Sequence, residues 1–224
     1  MRRLSLLVPL ALAAVLLAGC APSAAGPTPS TSPTTGTGAD PSPAPTPEET
    51  PETSALVLSL DTLSAVSADG AVLTSAPLSD AAAVTSVLTD HLGEPTATTR
   101  DDRYGFTSTK WGEAVIVGTA DQSSDASVSF RAAEIDALAL RSSDGASVGM
   151  TGDEVAATGA SLDSTWSDDA NGRNHEVFVS QRKAIDGTSS LVHPGETGSV
   201  FVSYDVVNSV LESISAPGND FSDL

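Results

Sequence analysis

Leu63–Thr74 reads LSAVSADGAVLT and Leu138–Gly149 reads LALRSSDGASVG, and the two stretches align without a gap 75 positions apart. This internal repeat constrains the fold more than any other feature, because whatever one copy forms, the other must pack a like element beside it. In both copies an alternating apolar run meets Asp-Gly, at Asp69-Gly70 and Asp144-Gly145. Asp-Gly is the favoured centre of a tight hairpin turn, so each copy is expected to turn there and continue as a short second run.

The segments after the two turns also match in kind. After the first comes PLSDAAAVTSVLTDHLGEP, where Ser79 can cap a helix whose apolar face is Val84, Val87, Leu88 and Leu92, and where Gly93 and Pro95 stop it. After the second comes MTGDEVAATGASL, where Thr151 and Glu154 have capping-box spacing, Val155 and Ala156 begin the buried face, and Gly159 interrupts the helix. Each helix leads through a polar, Asp-rich loop to alternating segments. These are YGFTSTKW, EAVIVG and ASVSFRA in the first half, and HEVFVSQ, GSVFVSYDVV and SVLESISAP in the second. The expected fold is therefore α+β. It comprises two tandem units, residues 54–136 and 137–224, each a short helical segment packed on an antiparallel sheet of about three or four strands, one sheet face covered and the other available.

Tandem units of this kind resemble the β-lactamase inhibitor protein fold, and through it the small lipoprotein of the outer-membrane β-barrel assembly machinery. The resemblance is carried by Asp144–Val155, which reads Asp-Gly-x-x-x-Gly-Met-Thr-x-x-Glu-Val, and by Trp111-Gly112 before an apolar strand. The first half departs from the phrase, with Leu73-Thr74-Ser75 where Val-Gly-Met would stand. The resemblance implies a binding module, engaged by its uncovered sheet face or sheet edge, or an inhibitor of an extracellular hydrolase.

The N-terminus points to export. Arg2 and Arg3 precede an apolar run, Leu4 to Ala18, that is too short to span a bilayer and ends in small residues before a cysteine. Residues 1–19 read as a signal peptide. Leu17-Ala18-Gly19-Cys20 resembles the lipobox of bacterial lipoproteins, which implies cleavage between Gly19 and Cys20 and a diacylglyceryl group on the Cys20 thiol. Cys20 is the only cysteine, so its lipidation leaves none for a disulfide. Multiple acyl chains hold a protein at a membrane firmly, each buried CH₂ contributing about 0.8 kcal/mol. The expected location is the extracytoplasmic face of the cell membrane, anchored by lipid. Residues 20–53 carry nine prolines and no large apolar side chain, and so read as a disordered linker, in style similar to actinobacterial lipoprotein linkers with threonines open to glycosylation.

Removing the signal peptide leaves 8 basic against 29 acidic residues, a formal net of −21. That charge repels nucleic acid and anionic lipid, and there is no basic cluster and no phosphate-cradling glycine loop. Gly145-Ala146-Ser147-Val148-Gly149 fits the G-x-S-x-G of a serine hydrolase, with His175 and His193 downstream. Yet a nucleophile elbow needs a strand, turn and helix in a parallel sheet, and the aligned position in the first copy is Val72; Ser147 is expected to be structural, with a serine hydrolase as the remote alternative. His91, His175 and His193 lack ligand spacing. Asp168–Gly172 would place Ser167 and Phe178 where a calcium loop requires carboxylates, so no metal and no cofactor is expected. Trp111, Phe130, Phe178 and Phe201 lie in strand-like alternation and are expected in the core. The chain thus reads as a non-catalytic envelope lipoprotein with a protein partner.

Overall fold

Leu56 and Leu58 face Ala65 and Leu63 across the first two strands, and this alternation is enough to bury one side of a hairpin. The computed structural model describes residues 51–221, and the signal peptide, Cys20 and most of the linker lie outside them. Two sheets form. The first contains β1 (Thr53–Leu58), β2 (Thr62–Ser67), β3 (Val72–Pro77), β8 (Glu134–Ile135) and β9 (Leu138–Ser142), in the order β3-β2-β1-β9-β8. Its β1–β9 pair is parallel and sets Leu56 beside Leu140. The second has eight strands, β4 (Ala97–Asp101), β5 (Phe106–Trp111), β6 (Val115–Ala120), β7 (Ala126–Phe130), β10 (Ser161–Asp168), β11 (Arg173–Ala184), β12 (Ser199–Val207) and β13 (Val210–Asn219). Two four-strand meanders, β4–β7 and β10–β13, join through the antiparallel β7–β13 pair into one sheet of order β10-β11-β12-β13-β7-β6-β5-β4. Both sheets draw strands from either side of residue 136.

Helix α1 (Ala81–Leu92) lies against β2 and β3, and α2 (Gly152–Ala157) against β11 and β13. Asp80 caps α1, its carboxylate accepting from the Ala83 N–H at 3.0 Å, so the cap is one residue later than the expected Ser79. Gly93, at φ +78°, ends the helix, and its N–H donates to the Thr89 carbonyl. Thr151 and Glu154 form the expected capping box.

The expected α+β arrangement of two helix-on-sheet units is not what forms. The described chain is mostly β, with two short helices, and the apolar side of the eight-stranded sheet shares one core with the second sheet and both helices. Leu56, Leu58, Leu63, Leu138 and Leu140 of the smaller sheet merge with Val84, Val87 and Leu88 of α1, Val155 of α2, and Trp111, Val115, Val128, Phe130, Tyr204, Val206 and Ile214 of the larger sheet in one apolar cluster. Periodicity shows which side of a strand is apolar and not what lies against it; here the parallel β1–β9 pair, between segments about 80 residues apart, brings strands of both halves into the smaller sheet. The polar loops expected after each helix are also strands. β4 is exposed throughout and β10 nearly so, because both are sheet edges and bury little.

The two Asp-Gly turns close alike. Ser67 N–H donates to the Ala71 carbonyl at 2.9 Å, and Ser142 N–H to the Ala146 carbonyl at 2.8 Å. Gly70 and Gly145 both hold positive φ, +86° and +93°, where a side chain would strain the backbone. The first turn joins two paired strands. After the second, the chain runs without a strand into α2.

Candidate functional surface

The larger sheet has an outward face opposite the core. One row of paired residues crosses all eight strands on it: Ala97, Lys110, Ile116, Ser129, Ser215, Ser203, Val179 and Ser161. None of these belongs to the core cluster, and all but Val179, itself buried on this side, are at least partly exposed. Its middle is built of small polar residues, with Ser215 Oγ donating to Ser129 Oγ at 3.0 Å across the β7–β13 seam. A Cβ on Gly118 would come within 2.2 Å of Phe106 Cζ, so the Phe106 ring lies over that glycine on the same face.

Larger groups stand toward the β10 end. Trp166 and His175 are directly paired and stack, ring centroids 4.6 Å apart and planes 7° from parallel. Ser167 and Asn174 bond to each other through their side chains on the opposite face, as strand alternation requires. His175 Nδ1 lies 3.1 Å from Asp205 Oδ1, and this pair fixes the imidazole beneath the indole. Trp166 nevertheless remains 49 % exposed, whereas the other tryptophan, Trp111, is 1 % exposed and donates its indole N–H to the Gly93 carbonyl at 2.8 Å. The neighbouring groove, about 640 Å³, is lined by Glu113, Arg131, Arg173, Asp205 and Glu212 among others. Arg173 pairs with Glu212 within it.

A 14-residue connection, 185–198, joins β11 to β12 beside β10 and is braced by buried polar groups. Asp220 accepts from Ser199 N–H at 2.6 Å and from Ser190 Oγ at 3.0 Å; His193 Nε2 lies 3.0 Å from Asp163, which also takes Arg182. Asp163 and Asp220 side chains are only 5 % and 1 % exposed, so these pairs are shielded from water. Leu191 and Val192 at the tip are exposed.

The residues singled out for chemistry fall apart in space. Ser147 lies between β9 and α2, with its hydroxyl donating to the Leu140 carbonyl at 3.0 Å. His175 and His193 hold Asp205 and Asp163, and among the described residues no serine hydroxyl bonds the remaining ring nitrogen of either. Asp168–Gly172 is the turn between β10 and β11, where the Asp168 carboxylate accepts from Ala170 N–H at 3.1 Å and Asn171 Nδ2 at 2.6 Å. These bonds lower its pKa, Asn171 first. Among the described residues no group of three or more potential metal ligands is clustered, and no helix is long and apolar enough to cross a membrane.

Asp144, in the second Asp-Gly turn, has a role its first-half counterpart lacks. It accepts from Ser180 Oγ at 2.6 Å, Gln181 Nε2 at 2.9 Å and the Tyr204 hydroxyl at 3.0 Å, tying the smaller sheet to β11 and β12. Burial works to raise its pKa, but the bonds from Ser180, Gln181 and Tyr204 together outweigh it and leave the carboxyl below its ordinary value. Tyr204 is pushed up from the usual phenol value, chiefly by burial. Gln181 reaches this position from a bulge in β11 at φ +53°, and its Oε1 also accepts the Leu60 N–H at 3.0 Å. Neither the Asp144 network nor the Trp166 stack was marked in the sequence; two scarce tryptophans of different surroundings look alike there.

No family model matches this chain, and no curated protein or solved structure is similar to it.

Proposed function

We propose that this protein is a lipid-anchored, non-catalytic lipoprotein on the extracytoplasmic face of the cell membrane, and that the outward face of its eight-stranded sheet binds a protein partner. One observation carries the reading: a sheet buried on one side presents, on the other, an ordered surface with a half-exposed tryptophan held rigid by His175 and Asp205. At interfaces tryptophan is among the residues on which binding energy concentrates. Rigid presentation lowers the entropy lost on binding. The Ser147 hydroxyl donates to the Leu140 carbonyl rather than bonding His175 or His193, which supports a structural role for that serine. Lipidation at Cys20 rests on the Leu-Ala-Gly-Cys stretch, and the proline-rich residues 20–53 would hold the sheet away from the lipid.

The test is in intact cells. Metabolic labelling with an alkyne fatty acid should label the wild-type chain and leave Cys20→Ser unlabelled, and chemical cross-linking should enrich a protein with the wild type over Cys20→Ser. An unlabelled wild type removes the anchor. Equal enrichment from both chains, or none, removes the envelope partner.

A further inference from the structure

The turn between β10 and β11 contains Asn171-Gly172, the one Asn-Gly pair in a chain with four asparagines. Asparagine is among the less durable residues, because its side-chain amide can be attacked by the backbone nitrogen of the residue that follows. Glycine in that following position, with no side chain, hinders the attack least. In a folded chain the reaction needs two free groups, the side-chain amide and the next residue's N–H. At three of the four asparagines the fold engages one or both. Asn174 Oδ1 accepts from Ser167 Oγ at 2.9 Å, and its successor His175 is paired on both sides within β11. Asn208 Oδ1 accepts the Asn174 N–H at 3.0 Å, and serine follows it. Asn219 Oδ1 accepts the Phe221 N–H at 3.2 Å, and the N–H of its successor, Asp220, donates to the Ser199 carbonyl at 3.2 Å.

Asn171-Gly172 differs on both counts. Both residues are exposed. Gly172, at φ +65°, lies outside the strands, and apart from its chain neighbours nothing stands within 4 Å of where a side chain would begin. Among the described residues its N–H donates to no group, and the one bond on the Asn171 amide runs from Nδ2, the atom that would leave, to Asp168 Oδ2 at 2.6 Å.

We propose that Asn171 is a site of spontaneous deamidation in the folded protein. The Gly172 nitrogen gives its proton to solvent and bonds to the Asn171 amide carbon. The bond from that carbon to Nδ2 breaks, and Nδ2 takes a proton from solvent and leaves as ammonia, which closes a five-membered imide. Water then splits one of the imide's two carbonyl–nitrogen bonds and returns a proton to the nitrogen. Splitting at the side-chain carbonyl gives aspartate, and splitting at the main-chain carbonyl gives isoaspartate. The sum is amide and water to acid and ammonia, with no change of oxidation state. An acid oxygen then stands where Nδ2 donated to Asp168, and two carboxylates at that range repel. The turn loses its Asp168–Asn171 bond, and the isoaspartyl form adds a carbon to the chain beside the Asp168–Arg173 pair that closes the hairpin. Trp166 and His175 stand two residues from that pair, so the change reaches the edge of the outward face, whether or not that face binds a partner.

The experiment holds the full mature chain with Cys20→Ser in warm, mildly alkaline buffer, folded in one sample and unfolded by urea in another. Tryptic peptides are followed by mass spectrometry for the amide-to-acid mass change, the peptide ending at Arg173 having Asn171 as its only asparagine. In the folded sample Asn171 is expected to convert first, at a rate within several-fold of that in urea, while Asn174, Asn208 and Asn219 convert far more slowly than they do in urea. Asn171→Gln, whose longer side chain would have to close a larger ring, should lose the mass change in that peptide and the matching acidic species in ion-exchange chromatography. The assignment is overturned if Asn171 converts in urea but stays intact in the folded sample, if another asparagine converts first in the folded sample, or if the acidic species forms equally in Asn171→Gln.

Discussion

Asp69 and Asp144 occupy the same position of the same turn, 75 residues apart, and so offer an internal control for what a single network is worth. Asp69 is fully exposed and bonds the Ser67 hydroxyl inside its own turn. Asp144 accepts three side-chain hydrogen bonds from β11 and β12. Replacing each by alanine removes the turn contribution from both and the network from one. Hydrogen bonds to a charged acceptor are worth about 1.5–3 kcal/mol each, but the losses are partly recovered. Ser180 Oγ and the Tyr204 hydroxyl still bond each other at 2.9 Å, Gln181 Nε2 still reaches Ser143 Oγ at 2.8 Å, and the carboxylate's own desolvation cost disappears. The net loss expected for Asp144→Ala is about 2 kcal/mol. For a domain of this size that is a fall of about 4–8 °C in the thermal midpoint, or about 1 M in the urea midpoint at a slope near 2 kcal/mol/M. Asp69→Ala should lose much less. Thermal unfolding by circular dichroism and urea titration by fluorescence measure both variants. Equal losses would show that the Asp144 bonds are not a tie between the sheets, and would refute the joining of β11 and β12 to the smaller sheet through this carboxylate.

Four further outcomes are expected from the geometry. The Asp144 pKa is lowered in the fold, so its stabilising contribution is complete above the unfolded carboxyl value of 3.8 and is lost as pH falls through the lower folded one; Asp144→Asn should lower the urea midpoint by a constant amount between pH 6 and 8 and flatten its fall in the acid window. Trp111→Ala, at a site 1 % exposed with its N–H bonded, should cost about 3–5 kcal/mol by urea titration, while Trp166→Ala should leave the midpoint nearly unchanged. Gly118→Val should destabilise the protein markedly, because its first side-chain carbon would overlap Phe106, and Phe106→Ala should restore part of the loss in a double-mutant cycle. Ser147→Ala should lose about 1 kcal/mol with its bond to the Leu140 carbonyl, and the wild-type chain should not react with a fluorophosphonate at Ser147; a labelled Ser147 would return the enzyme reading.

Much of the local structure was legible because it depends on neighbours in sequence. The Asp-Gly turns, the Gly93 stop, the Thr151–Glu154 capping box and the buried Trp111, Phe130, Phe178 and Phe201 all follow from residue type and alternation. The architecture was not legible for reasons that are equally physical. β4, Ala-Thr-Thr-Arg-Asp, buries no residue and so carries no apolar signal. β10 mixes Leu162, Asp163 and Trp166 across a bulge, which breaks its alternation. β1 pairs with β9 in parallel across most of the first half, a contact no local pattern encodes. The equal chemistry of two helical segments also misled: α1 runs twelve residues, but Gly159 helps hold α2 to six, too little to cover a sheet. At the outward face, what sets Trp166 apart from Trp111 is the neighbour across the strand pair, His175, and its tether to Asp205.

The most direct test of the central claim asks which face of the protein meets a partner in the cell. A photo-reactive phenylalanine analogue is placed singly at Lys110, Ser213 and Trp166 on the outward face of the larger sheet, and at Ser64 and Ser75, whose hydroxyls bond each other at 3.0 Å on the exposed side of the smaller sheet. Irradiated intact cells are then compared by the adducts each position yields. One shared adduct is expected from the outward-face positions and none from Ser64 and Ser75. Adducts confined to Ser64 and Ser75, or equal from both sheets, would contradict a binding role for the outward face.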